Sequence, residues 1–382
     1  MRLNKINTSV ITAVFFALVV FSDFHYKLLS YDYLNTIKFT LIIKLIIGVV
    51  FGAIVVNTLQ KKTVLLTLLL ILCGSISVLV LRTDFYILCQ YNFGIIILLF
   101  FLNSKPQLEK KYLLRVVETV IGLNFVCILL GIFFGIDFFQ TYQGGRFGYN
   151  GIFKSTSTAS FFYMFSIMFL ILKKKKSKFN ITLLIIAFIS SLFIGSKTLY
   201  AYVIFCLVII MLEFIGKRKG VIGVKMFYLL PFMICIVICT IVFIPLVSLN
   251  ETLHRLLVEE GVLTTFFSNR DHHVINAYKD MKESYNTMNF LFGGLAKVKR
   301  LTEMALIDLF LVFGLVGSII YNVLLISIFP RIQDISLRIM LAFVLVIIFL
   351  RGDFLYFPSV MFISMAIFTI VLNEINFKAK NI

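Results

Sequence analysis

Apolar runs of about 20 residues, the length a helix needs to cross a bilayer, recur from one end of this 382-residue chain to the other. One polar stretch, Asn250 to Glu303, breaks the series. No other feature constrains the fold as strongly. The backbone of each apolar run must satisfy its own hydrogen bonds in lipid, which leaves helices as the economical solution. Composition agrees: 60% of residues are hydrophobic and only 14% charged, against roughly a quarter charged in a soluble domain. The expected fold is an all-α polytopic membrane protein, a single integral domain over 1–382, with about twelve transmembrane helices. The polar stretch, bounded at 249–304, is expected to be a long extracytoplasmic loop that contains an amphipathic helix.

The spans read as roughly 8–22, 37–57, 63–81, 85–102, 116–135, 157–172, 181–195, 199–214, 226–248, 305–327, 336–350 and 354–372. The seventh and eighth meet at Gly195-Ser196-Lys197-Thr198 and could form one broken pair. Pro231 and Pro245 fall in the ninth, where each removes a backbone donor and can kink the helix. The first run follows Arg2 and Lys5 with no small-residue cleavage site after it, so it is expected to be retained rather than removed as a signal peptide.

Charge gives the sidedness. The net charge of +18 is spread as short Lys/Arg clusters between apolar runs, such as Lys173 to Lys176 and Lys217-Arg218-Lys219. That pattern belongs to cytoplasmic loops, and no basic–aromatic face suited to nucleic acid exists. With the N-terminus inside, short inside segments hold roughly three times as many cations as short outside ones. Both termini are then cytoplasmic, and the long loop faces outward. The six cysteines, Cys73, Cys89, Cys127, Cys206, Cys235 and Cys239, lie in apolar segments without metal-ligand spacing. They read as small packing residues, and no metal or cofactor is expected.

Cations that face outward oppose the charge bias and each needs a reason. Arg146 lies in Gln143-Gly144-Gly145-Arg146-Phe147-Gly148. Glycines let backbone approach a ligand closely, and guanidinium suits bidentate binding of phosphate. A solvated Arg in a glycine turn is the plainer alternative. Lys197 stands at the tip of the seventh-to-eighth hairpin. Arg270 precedes His272 and His273, which with His254 place three of the four histidines in the long loop. Lys154 and Arg351 can be explained as anchors to lipid phosphates. From Asp271 to Tyr285, Val274, Ala277, Tyr278 and Met281 recur at helical spacing among charges, predicting the amphipathic helix. Its first turn holds both His272 and His273. Either could act as a general base near neutral pH, or simply be solvated. Adjacent helical residues diverge by about 100°, so the pair suits a metal poorly. Leu291-Phe292-Gly293-Gly294 marks a tight turn. Glu303 and Asp308 then stand where the tenth span begins, and either could pair with an outward cation. Lys44 and Glu118 lie within or beside spans.

In this order the motifs resemble the O-antigen polymerase and O-antigen ligase superfamily of bacterial polysaccharide assembly. Gly145-Arg146-Phe147-Gly148, Gly195-Ser196-Lys197-Thr198, Arg270 before the amphipathic helix, the Leu-Phe-Gly-Gly turn and Glu303 to Gly317 carry the likeness, over roughly Gly144 to Ser327. Lys197 stands where the family often has Arg, and the Asn-Pro that often follows the glycine turn in relatives is absent. The resemblance implies a metal-independent glycosyltransferase in a bacterial cytoplasmic membrane. It would move glycan from a polyprenyl diphosphate donor to a sugar hydroxyl of another lipid-linked repeat unit on the outer face. Expected partners are these lipid-linked oligosaccharides, membrane lipids, a flippase and a chain-length regulator, with no nucleic acid. The implied diphosphate-binding residues are Arg146, Arg270 and Lys197. The base would be His272 or His273, with Glu303 as the alternative. A ligase with a different acceptor, or a flippase or transporter, remains open from the sequence.

Overall fold

The structure is a computed structural model that describes residues 8–32, 39–58, 61–104, 110–142, 147–173, 177–219, 234, 251–298, 300–327 and 335–380. Among these residues the fold is helical throughout, with no strand beyond an isolated bridge between Gln140 and Tyr149. The long apolar helices are α1 (Thr8–Asp32), α2 (Phe39–Thr58), α3 (Lys61–Leu79), α4 (Phe85–Ser104), α5 (Lys110–Phe134), α6 (Thr156–Leu172), α7 (Lys178–Phe193) and α8 (Lys197–Lys219). The polar stretch forms α9 (Glu251–Phe267), α10 (Arg270–Ser284) and α11 (Thr287–Phe292). Then follow α12 (Ala305–Ser327), α13 (Ile335–Leu350), α14 (Asp353–Tyr356) and α15 (Pro358–Lys380).

By length and composition, three helices among the described residues can cross a membrane: 10–29, 111–134 and 305–327. Eight further apolar helices of 10–17 residues accompany them. The ninth expected span, with Pro231 and Pro245, lies outside the described residues. Two expectations need correction. The first helix runs on to Asp32 rather than ending near 22, because nothing from Phe21 to Tyr31 breaks a helix. The stretch 249–304 holds more helix than the single amphipathic one expected in it. Its described residues are mostly helical, and the predicted amphipathic helix is one of three. On α10, Ala277 is buried and Met281 packs on the core, whereas Tyr278 of the predicted apolar face is exposed.

The centre is built from α6 and α15, which pack on each other. Every residue from Ser157 to Leu172 is buried, as expected of a helix that is apolar on all sides. Around them α2, α3 and α5 turn Leu45, Val49, Leu68, Leu123 and Phe133 outward. Such a continuous apolar exterior would be a liability in water and is the ordinary surface of a protein in lipid.

Helix α12 is broken at Gly314, whose φ is 65° and ψ −169°. The break frees carbonyls, and both find donors: Gly294 N–H reaches Leu311 O at 2.9 Å, and Ser77 Oγ reaches Val312 O at 2.8 Å. The Phe292-Gly293 backbone fills the notch, and a Cβ on Gly314 would overlap Leu291 and Phe292. A Gly314→Ala protein should therefore be destabilised by about 2–4 kcal/mol, from left-handed backbone strain plus displacement of the turn. A lowered thermal midpoint of the purified protein checks this.

Candidate functional site

One end of the bundle gathers polar groups from five places in the sequence. The turn between α7 and α8 is set by Gly195, at φ 74°. A Cβ there would strike the Phe147 carbonyl and Gly148. Tyr149 N–H donates to Phe193 O at 2.6 Å, and Thr141 Oγ1 to Ile194 O at 3.2 Å. The end of the glycine-rich segment is thus docked on the hairpin that presents Lys197. Arg146 itself lies outside the described residues.

Lys197, first residue of α8, donates to Thr265 O at 2.5 Å and to Ser268 Oγ at 3.0 Å. Both belong to the corner between α9 and α10, which turns through left-handed backbone at Ser268 (φ 55°) and Asn269 (φ 68°). Thr264 Oγ1 donates to Asp271 Oδ2 across the corner at 2.6 Å. Asn269 is followed directly by Arg270. Of the four described non-glycine residues with positive φ, three (Ser268, Asn269 and Glu303) lie here. Strain of this kind, about 1–3 kcal/mol per residue, gathers where a structure holds groups for function.

Arg270 lies 3.5 Å from Glu303 through Nε, and Arg300 lies 3.6 Å from the other Glu303 oxygen. Glu303 therefore does pair with cations of the polar stretch, Arg270 and Arg300. The contact with Arg270 is beyond a good hydrogen bond, and the buried Arg270 Nε has no hydrogen-bond partner. A buried guanidinium donor left unsatisfied is costly unless something else takes it. Asp308, at the start of α12, fixes the chain beside Glu303 by accepting from Thr302 N–H at 2.7 Å and Thr302 Oγ1 at 2.8 Å. Gly352 N–H donates to Glu303 O at 2.8 Å.

That last bond brings in Arg351, which is 8% exposed. The anchor reading for Arg351 is incorrect: its guanidinium faces inward. Nε donates to Asp353 Oδ2 at 2.9 Å, one terminal nitrogen to Thr198 Oγ1 at 2.9 Å and the other to Ser157 Oγ at 2.7 Å. Ser157 Oγ in turn donates to Asp353 Oδ2. Burial works to raise the Asp353 carboxyl, but the Arg351 charge, the Ser157 and Arg351 hydrogen bonds and the Arg270 charge outweigh it and hold it below the usual range. Arg351 thereby ties α6, α8 and α14 together, and Asp353 feels both arginines.

The histidines separate. His272 is exposed and its Nε2 lies 2.7 Å from Glu260 Oε2 on α9. His273 is half-buried, within electrostatic reach of Arg300, Glu303 and Arg270. Burial lowers its pKa, with Arg300, His272 and Arg270 adding to that and Glu303 opposing. His254 sits further back on α9, exposed. The other expected anchor, Lys154, is exposed, with its ammonium over the Tyr26 ring at 3.4 Å.

The fold thus brings Lys197, Arg270, His273 and Glu303 to one end of the bundle, with His272 at its rim. Thr198, from the Gly195-to-Thr198 hairpin, joins them, as do Ser157, Arg351 and Asp353, which no motif announced. The available signal was Arg351-Gly352-Asp353 itself, a charged pair set between two apolar runs where lipid gives neither charge a partner. No group of three or more His, Cys, Asp or Glu side chains suited to a metal occurs among the described residues. Compared with protein-family models, with curated proteins and with solved structures, this chain matches none.

Proposed function

We propose that this protein is a glycosyltransferase of the membrane that joins repeat units of a surface polysaccharide, using a polyprenyl diphosphate-linked glycan as donor. The observation that carries the reading is the convergence of Lys197, Arg270 and Arg351 on one end of an apolar bundle, with Arg270 Nε buried and unsatisfied. A leaving lipid diphosphate needs fixed positive charge at the head-group level, and its chain needs lipid beside it. Glu303 stands between Arg270 and Arg300 at the place diphosphate oxygens would take.

In this reading about twelve spans cross a bacterial cytoplasmic membrane, and the charge bias of the loops puts the cluster on the outer face. Arg146, Arg270 and Lys197 bind the diphosphate, with Arg351 orienting the site from beneath. His273 takes the proton of the acceptor hydroxyl as the sugar bond to the diphosphate breaks. Glu303 is engaged by two arginines and His272 by Glu260, which leaves His273, within electrostatic reach of the cluster, as the base. No step needs a metal or a nucleotide sugar. Flippase and chain-length proteins are the natural neighbours, since one delivers the donor and the other sets product length. A ligase would share all of this and differ in its acceptor. A flippase would place its charges along a central path, whereas this cluster sits at one end.

The test is reconstitution with defined lipid-linked repeat units. Polymer formed without divalent cation supports the proposal. Loss of the gene should leave single units on the outer leaflet, and units trapped on the inner leaflet would overturn it in favour of transport.

The base assignment has a pH signature. A lowered His273 pKa keeps the ring neutral, and so able to accept a proton, down to pH values below the 6.5 of a free histidine. The rate should hold from neutral pH to below 6.5 and fall only as His273 becomes protonated. A His273→Gln protein should lose about 10²–10⁴-fold in rate, with His272→Gln much less affected. The reverse order of effects would move the role to His272.

A further inference from the structure

Helix α11 belongs to the polar stretch, yet it packs well down the side of the apolar bundle. Gly294 N–H bonds to Leu311 O at 2.9 Å. Leu311 closes the second turn of α12, about 9 Å below Ala305 at a rise of about 1.5 Å per residue. The Phe290 ring stands edge-on to Phe310, 5.1 Å between centroids. Leu291 and Phe292 back onto Gly314, further along α12. The same level of α12 meets α3, whose Ser77 bonds to Val312 O, and α11 packs on α3 as well. Helix α12 is among the described helices long and apolar enough to cross a membrane. The hydrocarbon core reaches its midplane at a depth of about 15 Å. The turn after α11 therefore descends past the start of a span and stops short of that midplane.

Irregular backbone at membrane depth must be buried in protein with its polar groups satisfied. Here it is. Asn286 and Asn289 cap the head of α11 reciprocally, each side chain accepting from the other's backbone N–H, at 3.0 Å and 3.2 Å. Gly293 N–H donates to Asn289 O at 2.8 Å, and Lys297 N–H to Gly294 O at 2.9 Å. Gly293, Gly294 and Leu295 are buried. Lys297 sends its ammonium back to Ser284 O, at the end of α10, at 2.7 Å. That is how a lysine keeps its charge out of an apolar layer. The side chains that α11 turns outward are of the opposite kind: Met288 is 43% and Phe290 47% exposed. Leu306, one turn before Phe310 on α12, is exposed too.

We propose that α11 and the turn after it form a re-entrant hairpin, whose Met288–Phe290 face packs against the acyl chains of the membrane. Exposed apolar side chains in one patch are a liability in water and the ordinary surface in lipid. Met288, Phe290 and Leu306 carry no charge, so the face fits acyl chains rather than head groups. It also continues the exposed face of α12, where Leu315, Ile319 and Val323 follow lower down. The proposal rests on α12 crossing the bilayer and on nothing in the transferase reading.

The chain contains no tryptophan, so a Phe290→Trp protein carries a single indole on this face. It is reconstituted in phosphatidylcholine vesicles and met by two quenchers, phosphatidylcholine brominated on its chains and acrylamide in the water. Brominated lipid should remove most of the emission and acrylamide little of it. Bromine near the glycerol end of the chain should quench more than bromine near the methyl end, since the turn stops short of the midplane. Val126→Trp, on the exposed face of α5, should also prefer brominated lipid. Lys279→Trp, at an exposed position of α10, should show the reverse, aqueous pattern. Met288→Trp should match Phe290→Trp, so the result does not depend on the folding of one variant. Quenching of both α11 indoles by acrylamide, as for Lys279→Trp, overturns the proposal and returns the helix to water. Quenching by neither agent also overturns it, because a protein partner or a second copy of the chain would then cover the face.

Discussion

An Arg351→Ala protein should melt early and form no polymer. Removing the guanidinium leaves Asp353 with a hydrogen bond from Ser157 and the charge of Arg270, in a site where its partner was 9% exposed and it is itself 23% exposed. Breaking a buried pair from one side costs about 3–5 kcal/mol, mostly because a charge is stranded. Thr198 Oγ1 and Ser157 Oγ also lose their donor, which loosens α8 against α6. A thermal melt and a polymerisation assay on the same preparation measure the two effects. They separate in the double variant Arg351→Met/Asp353→Leu. With both charges gone and similar volume kept, stability should largely return, since a buried pair is often replaceable by apolar residues. Transfer should not return, because the guanidinium that orients the cluster is missing. A double variant that both folds and polymerises would make Arg351 purely architectural.

Arg270→Ala and Arg146→Ala should each abolish chain elongation while leaving normal amounts of protein in the membrane. Arg270 is held to Glu303 at 3.5 Å and has an unsatisfied donor, so its loss costs the fold little. Its charge is what a departing diphosphate requires. Loss of one donor of this kind costs about 10²–10³-fold in rate. Lysine at 270 should recover part of that, because it restores charge without the bidentate fork. Chain length read on a gel of extracted polysaccharide reports the outcome. Normal polymer length in both alanine variants would remove the diphosphate-binding proposal.

The two sites of largest effect were not equally legible. Arg270 stood out because it precedes a helix whose apolar spacing is written in Ala277 and Met281, and the structure places that helix at Arg270–Ser284, one residue from the expected start. Gly195 and Gly293 stood out because turns with positive φ favour glycine, and both do adopt positive φ. Arg351 was visible only as an outward cation in an inconvenient place. Its three acceptors lie at Ser157, Thr198 and Asp353, and two of those are more than 150 residues away. No local pattern encodes such a contact.

What the sequence by itself determined is local. Apolar length fixes helices, since a backbone without water must bond to itself. Glycine marks some of the places where the chain turns through left-handed backbone, and period 3.6 puts Ala277 and Met281 on one face of α10. Those rules act over a few residues and carry no information about which helix meets which. The tertiary structure decided that Glu303 sits between Arg270 and Arg300, that Lys197 holds the α9–α10 corner, and that Arg351 turns inward. Each is a long-range pairing of polar groups in an apolar medium, where a charge must find its partner wherever the packing of the helices happens to bring one.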